Sequence, residues 1–289
     1  MRIYDCTMFF NESIVSEVKM LENSRWVDET HITEADRTFK NKKKKYAFSL
    51  SSQCRVKYHR FSAGKTFRSG IWDFSIGPWW TNRRNCHWFN EAMQRNASVK
   101  FIDPKDEDIV ILSDVDEIIA SEFSDEIVWA TRKHGIITVK LHLSNFYFDL
   151  FVDGWPGPPD YSYRVFVMTG KHFRSMPYTP DHLRKAGESG KLMNDVFCLE
   201  DFAGFHHSWI GDTDDMLAKI NAYSHDPEDH DRDILDPRGR VNPSQIRFFL
   251  ESKRSLFSGR SLYTQDSLQL LPAIYELKDV TSNFLIRNI

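Results

Sequence analysis

Residues 109–119, IVILSDVDEII, constrain the fold of this chain more than any other stretch. Four apolar residues and a serine lead directly into Asp114, Asp116 and Glu117, and two isoleucines follow. The apolar run is typical of a buried strand in an α/β sheet, and ligands bind at the edge where such strands end. Clustered carboxylates repel one another, so the pattern predicts a compensating group there. A metal ion holding a nucleotide, a phosphoryl group and plain solvent are the three candidates.

The first 35 residues predict a strand, a helix and a second strand. Residues 2–10 and 26–35 are rich in apolar, β-branched and aromatic residues. Between them, apolar residues at helical spacing fall on one face, and Asn11 or Ser13 is the expected N-cap. These apolar residues are Ile14, Val15, Val18 and Leu21. A βαβ opening predicts an α/β fold with a mostly parallel central sheet flanked by helices.

The rest of the chain continues the alternation of strands and helices without a repeat or a linker, so one domain is expected. Residues 226–243 are rich in charge, proline and glycine and predict a surface loop. The remaining predicted elements are strands at 51–61 and 135–143, helices at 79–98, 121–134 and 213–225, and two strands around a Pro/Gly turn within 145–168.

The charge balance argues against a nucleic-acid partner. The net charge is −3, and the basic run at 40–46 has no second basic cluster to support it, so it is interpreted as a solvated loop. The sequence shows neither a secretion signal nor an apolar run long enough to span a membrane, which favours a cytoplasmic or otherwise soluble protein. The four cysteines lack metal-type spacing and are expected to be reduced thiols.

Asp114 and Asp116 are two residues apart, so at an extended strand end both carboxylates project to the same side. A divalent cation such as Mn²⁺ or Mg²⁺ relieves their repulsion and prefers hard oxygen ligands. Such an ion bridges the acids to a nucleotide diphosphate and offsets the charge of the leaving group. The alternative without a ligand is a helix N-terminus, whose dipole stabilises acidic side chains.

Two other chemistries use similar sequences. An EF-hand loop is excluded because its fifth, sixth and twelfth positions would be Ile118, Ile119 and Asp125. A phosphatase of the haloacid-dehalogenase type stays an alternative, with Asp114 and Asp116 as nucleophile and acid/base and residues 211–215, GDTDD, as the later acidic motif.

Two adjacent histidines, His206 and His207, lie in a segment rich in glycine and aromatic residues. Neighbouring residues of a strand point to opposite faces, so only one of the two can face the acids. A neutral imidazole can complete an acid-based metal shell, which makes this pair a candidate for the site.

Five blocks of the sequence, in the same order, resemble glycosyltransferase family 17, the family of β-1,4-mannosyl-glycoprotein β-1,4-N-acetylglucosaminyltransferase and its bacterial and viral relatives. Two departures are Ile119, where the family commonly has proline, and Phe205, where tryptophan is usual. The blocks are IYDCTMFFNE (3–12), ITEADRTFKNKKK (32–44), RRNC (83–86), SDVDEI (113–118) and GFHHSWIGDTDDMLAKINAYSH (204–225).

The resemblance implies a GT-A-like fold and an inverting transfer from a nucleotide sugar, with GlcNAc or another UDP-sugar as donor and a hydroxyl of a glycan or glycoprotein as acceptor. It also implies a division of the single domain 1–289. Residues 1–120 would form the nucleotide-binding half, 121–225 the acceptor side and the rest of the metal site, and 226–289 a C-terminal extension. A glycan-binding module without catalysis is a further alternative. The sequence does not predict the oligomeric state.

The resemblance also implies roles for individual residues. Asp116 would bind Mn²⁺ or Mg²⁺ with His206 as a further metal contact, and Asp114 would hold the ribose or donor sugar and reach the metal through water. Glu12, Glu34 and Arg84 would contribute to the nucleotide pocket. The candidates for the general base are Glu117, Asp153, Asp181, Asp195 and Asp201. Three aromatic residues, Trp155, Tyr161 and Tyr163, would either stack on acceptor sugars or belong to the core.

Overall fold

Ten strands form a single sheet in the part of the chain that the computed structural model describes, residues 1–49, 55–64, 66–67, 86–154, 163–222, 243–255 and 260–286. The strands are β1 Ile3–Phe9, β2 Glu29–Ala35, β3 Val56–Phe61, β4 Ile109–Asp114, β5 Glu117–Ile119, β6 Ile136–Asn145, β7 Phe151–Val152, β8 Val165–Thr169, β9 Phe197–Ser208 and β10 Leu262–Tyr263. The helices are α1 Ser13–Asn23, α2 Cys86–Ala97, α3 Ser124–His134, α4 Gly170–Ser175, α5 Pro180–Glu188, α6 Thr213–Ala222, α7 Pro243–Glu251, α8 Pro272–Glu276 and α9 Lys278–Thr281.

The sheet has the order β10-β7-β6-β8-β4-β1-β2-β3, and β9 pairs with β5 and β6. Strands β4, β1, β2 and β3 are parallel, as a βαβ opening requires, whereas β8 lies antiparallel between β4 and β6. The predicted α/β class, with a mostly parallel central sheet flanked by helices, is confirmed.

Helices cover both faces of the sheet, and β4 shows why its sequence is continuously apolar. Ile109 and Ile111 pack in one cluster with Ile127 of α3, while Val110 and Leu112 pack in another with Leu183 of α5. A strand buried on both faces carries apolar residues at successive positions instead of alternating ones.

The carboxyl ends of β1 and β4 lie side by side, with Met8 opposite Asp114. Helix α1 begins immediately beyond β1, and Glu12 is its N-cap residue without a side-chain capping bond. The prediction that Asn11 or Ser13 caps this helix is wrong. The Glu12 carboxylate instead accepts hydrogen bonds from the backbone N–H groups of Phe10 and Asn11, at 3.0 and 3.1 Å. Glu12 is therefore held beyond the carboxyl end of β1, where its Oε1 lies 3.1 Å from Lys219 Nζ.

The residues after 260 pack against α1, since Leu270, Leu271 and Ile274 share a buried cluster with Val15 and Val18. The predicted loop at 226–243 lies outside the described residues except for its last position. Cys6 is a buried free thiol. Among the described residues, no helix combines the length and apolar character needed to cross a bilayer.

Candidate active site

The turn from Asp114 to Glu117 joins β4 to β5. It is held in place by Lys19, a buried lysine of α1. The Nζ of Lys19 donates hydrogen bonds to Ser113 Oγ (2.8 Å) and to the carbonyl of Glu117 (2.6 Å). Lys19 also forms an ion pair with Asp5 Oδ2 at 3.1 Å, and both side chains are only 2% exposed. A lysine can be buried at this depth because its charge is paired and its donors are used.

Asp114 is held by two arginines. The Nε and Nη2 of Arg95 donate to its two carboxylate oxygens at 3.2 and 3.1 Å, and Arg184 Nη2 lies 3.2 Å from Oδ2. Burial raises the pKa of Asp114, but the charges of Arg95 and Arg184 outweigh burial and hold the pKa below its usual range. Asp114 is therefore an ionised hydrogen-bond acceptor, and the guanidinium groups of Arg95 and Arg184 fix its orientation.

Glu117 is fully buried and both of its carboxylate oxygens are engaged. One oxygen is in an ion pair with Arg184, and the other accepts a hydrogen bond from the backbone N–H of Asp114 at 2.9 Å. Glu117 therefore stabilises the turn through its contact with the Asp114 backbone and connects the turn to Arg184 of α5.

Asp116 lies between two groups that can carry positive charge. Its Oδ1 is 3.7 Å from His206 Nε2, and its Oδ2 is 3.4 Å from Lys219 Nζ, which also lies 3.1 Å from Glu12 Oε1. Burial raises the pKa of Asp116, but Lys219 and His206 outweigh it and hold the pKa well below the ordinary value. The carboxylate is therefore ionised and directed towards the histidine.

The pairing of β5 with β9 brings His206 opposite Glu117, next to Asp116. This pairing needs Gly204, because a Cβ atom there would lie 2.1 Å from the carbonyl oxygen of Ile118. As expected for a strand, the neighbouring His207 turns to the other face, where its Nδ1 lies 2.8 Å from Ser144 Oγ. The glycine of the GFHH block thus lets the strand that carries the histidine approach the acidic turn.

The residues at this point suit a divalent cation. One ligand atom each from Asp116, Glu117 and His206 lie within 4.8 Å of one another. Among the described residues, His206 Nδ1 has no hydrogen-bond partner. Since the oxygens of Glu117 are already engaged, Asp116 and His206 are the pair that fits a metal best. Mg²⁺ and similar ions commonly take one or two protein ligands and complete their shell with phosphates and water.

Five of the predicted site residues meet at the acidic turn: Glu12, Asp114, Asp116, Glu117 and His206. Glu34 lies near the carboxyl end of β2, opposite Phe9 of β1, and accepts hydrogen bonds from Tyr58 and from the backbone of residues 47 and 48. Asp181 lies on α5 and is 2.8 Å from Arg95, one side chain away from Asp114. Asp195 and Asp201 are exposed, and Asp201 lies five residues before His206, roughly 16 Å along β9.

Several predicted residues fall elsewhere. Asp153 is exposed after β7, and Tyr163 is buried. Arg84, Trp155 and Tyr161 lie outside the described residues. The assignments of individual site residues stay predictions.

The sequence assigned no role to four basic residues at the site, namely Lys19, Arg95, Arg184 and Lys219, of which Lys219 lies in the block 204–225 that resembles the family. Arg95 follows Glu91 by four residues and Arg184 precedes Glu188 by four, and both pairs form ion pairs, at 2.6 and 2.8 Å. An acidic and a basic residue four positions apart on a helix were the only sequence pattern that pointed to these two arginines. Such pairs usually lie on the solvated face of a helix.

Comparison with solved structures finds distant similarity to TarS of S. aureus. Residues 1–349 of TarS are 11% identical, with a TM-score of 0.37, over 72% of this chain and 60% of that one. The complex of the same fragment with UDP-GlcNAc is 12% identical, with a TM-score of 0.38, over 73% of this chain and 59% of that one. The chain thus spans less than two thirds of these structures. At TM-scores this low, the likeness carries no weight for the activity.

No curated protein matches the sequence. The sequence model of glycosyltransferase family 17, in contrast, matches residues 1–246, which include the acidic turn, both histidines and Lys219. The chain belongs to glycosyltransferase family 17.

Proposed function

We propose that this protein is a metal-dependent, inverting glycosyltransferase. It moves a sugar, GlcNAc or another sugar carried by UDP, to a hydroxyl of a glycan or glycoprotein and forms a β-linkage. The observation that carries the proposal is the Asp116 carboxylate, ionised at the carboxyl edge of the sheet and directed at His206 Nε2 from 3.7 Å. Family membership supplies the reaction class.

Asp116 and His206 would hold Mn²⁺ or Mg²⁺, which, when bound, neutralises the negative charge that grows on the diphosphate as it leaves. Lys219 adds a fixed positive charge at the same place, because its ammonium lies between Asp116 and Glu12. Its position is set by two ion pairs, so no reorganisation is required when the charge develops.

Asp114 has a different role from Asp116 in this proposal. Arg95 and Arg184 keep it ionised and fix both of its oxygens, and an ionised carboxylate can only accept hydrogen bonds. The hydroxyl groups of a ribose or donor sugar are suitable donors for it. The same contacts argue against the phosphatase alternative, which needs Asp114 as an unobstructed nucleophile.

The proposal is tested by the thermal stability of the full chain with UDP. Wild-type protein is expected to gain several degrees in Tm with UDP and Mn²⁺ together and much less with UDP and EDTA, because the nucleotide is held through the metal. Asp116→Asn is expected to remove this gain, while Asp201→Asn, an exposed aspartate on the same sheet, serves as the matched control and should keep it.

A metal-dependent gain that survives in Asp116→Asn would contradict the assignment of the metal site. Direct titration of Mn²⁺ by electron paramagnetic resonance gives a second readout that does not depend on activity, and Asp116→Asn and His206→Gln should both weaken Mn²⁺ binding.

A further inference from the structure

Lys219 of α6 places a positive charge beside the proposed metal site. Its ammonium lies 3.4 Å from Asp116 Oδ2 and 3.1 Å from Glu12 Oε1, and the side chain is only 9% exposed. The ring of Trp209 adds a cation–π contact, with its centroid 5.3 Å from Lys219 Nζ. Two carboxylates and an aromatic ring therefore hold the ammonium in place, and a metal ion at Asp116 has to bind beside it.

The lysine and the expected metal position share one carboxylate. Asp116 Oδ1 faces His206 Nε2 at 3.7 Å, while Oδ2 faces Lys219 Nζ. The oxygen that faces the histidine is therefore not taken by the lysine, so the two cations do not compete for one position. They are nevertheless close enough for their like charges to repel each other. Lys219 thus opposes binding of a metal ion at the same carboxylate.

The neighbouring acids of the turn cannot offset this repulsion freely, because each already has a cationic partner. Asp114 is paired with Arg95 and Arg184, and Glu117 is paired with Arg184. The same two arginines also bind three acids of the flanking helices, Glu91, Asp181 and Glu188. Asp114 and Glu117 are therefore committed to the arginines, and the charge next to His206 is set by Asp116 and the groups that contact it.

The charges of these groups leave a divalent cation incompletely balanced. Asp116 and Glu12 carry two negative charges, and Lys219 cancels one of them. The affinity of a protein site for a hard cation rises with the number of charged ligands, so the lysine lowers the affinity for a free ion. The diphosphate of a nucleotide brings the missing negative charge, and the ammonium attracts it.

From these contacts we infer that Lys219 shifts the affinity of the site from the free metal ion to the nucleotide. The lysine weakens binding of the ion alone and strengthens binding of the diphosphate, so the ion enters and leaves together with the nucleotide. This inference deepens the proposed function and rests on it.

Lys219→Met tests the inference, because methionine keeps much of the apolar stem and removes the charge. Lys219→Arg is the matched control that keeps the charge. Glu12→Gln changes the local charge in the opposite direction at the other end of the same ion pair. For wild type and each variant, electron paramagnetic resonance measures the Kd of Mn²⁺ without nucleotide and with UDP, and titration calorimetry measures the Kd of UDP in EDTA.

The two affinities are expected to change in opposite directions. Lys219→Met should bind free Mn²⁺ about tenfold more tightly than wild type and UDP in EDTA about tenfold more weakly, since one nearby charge is removed. Mn²⁺ alone should raise the Tm of this variant by several degrees and that of wild type much less, because the ion replaces the missing positive charge between two carboxylates. Lys219→Arg should resemble wild type, and Glu12→Gln should weaken Mn²⁺ binding.

The inference is wrong if Lys219→Met binds free Mn²⁺ no more tightly than wild type, or binds UDP no more weakly. Weaker binding of both is the effect of a disturbed structure and also overturns it. If Lys219→Met does not fold even with Mn²⁺, Glu12→Gln decides, and unchanged or tighter Mn²⁺ binding in that variant refutes the inference. If wild type binds Mn²⁺ neither alone nor with UDP, the proposed metal site fails first, which distinguishes the two failures.

Discussion

The buried ion pair of Lys19 and Asp5 offers the sharpest test of how the acidic turn is held. Lys19→Met keeps the length and apolar stem of the side chain but removes its charge and its hydrogen bonds to Ser113 and Glu117. Asp5 then remains buried at 2% side-chain exposure without its counter-charge. Removing one partner of a buried pair typically costs about 3–5 kcal/mol of unfolding free energy.

Urea unfolding followed by circular dichroism at neutral pH measures this cost. The double variant Asp5→Asn with Lys19→Met should recover part of it, because the uncompensated charge is then gone while the side-chain volumes are kept. In the same samples the single variant should lose most of the metal-dependent gain in Tm with UDP, because the carbonyl of Glu117 is no longer held beside Asp116.

A loss below about 1 kcal/mol for Lys19→Met would refute this reasoning, since a surface ion pair contributes that much at most. A double variant that is no more stable than the single variant would show that the packing of Lys19, and not its charge, stabilises the turn.

Two further predictions concern the same edge of the sheet. Gly204→Ala should lower Tm and abolish UDP binding, because the new Cβ would force β9 away from the Ile118 carbonyl and take His206 with it; a variant with wild-type UDP affinity would contradict this. Without metal, the urea midpoint should fall as the pH drops below about 4, since carboxylates with lowered folded-state pKa values stabilise the fold above their unfolded pKa and lose that effect as they are protonated. Asp116→Asn should show a shallower pH dependence than wild type, and an equally steep one would show that other acids control it.

The sequence predicts a strand or helix best where its apolar residues follow a regular pattern or form an unbroken run between polar or turn-forming residues. The βαβ opening and β4 could be placed because their burial follows from their own residues. The N-cap of α1 could not be predicted from local sequence. The Glu12 carboxylate is held by the backbone N–H groups of Phe10 and Asn11, whose positions depend on how the chain turns after β1. The first half of β9, residues 197–203, was not predicted as a strand, since Glu200 and Asp201 interrupt its apolar residues and only Ala203 among the seven is buried.

Residues of the candidate site could likewise be predicted where the pattern is local and not where it depends on distant partners. Asp114, Asp116 and His206 could be proposed from the sequence because acids at the end of an apolar strand and a histidine before a helix are local patterns. Lys19 and Arg184 were not found, because each is meaningful only through partners about 70 to 100 residues away. On a helix surface a lysine or an arginine is ordinarily solvated, and only the tertiary fold shows that these two are buried beside carboxylates.

The central claim, metal-dependent sugar transfer at Asp116 and His206, is tested most directly by hydrolysis of nucleotide sugars. A panel of UDP-sugars is incubated with the full chain and Mn²⁺, and the released UDP is measured with and without EDTA. We expect slow release of UDP from at least one sugar nucleotide, abolished by EDTA, restored by added Mn²⁺ and absent in Asp116→Asn. Hydrolysis that continues unchanged in EDTA or in Asp116→Asn, or glycan binding without consumption of any UDP-sugar, would contradict it.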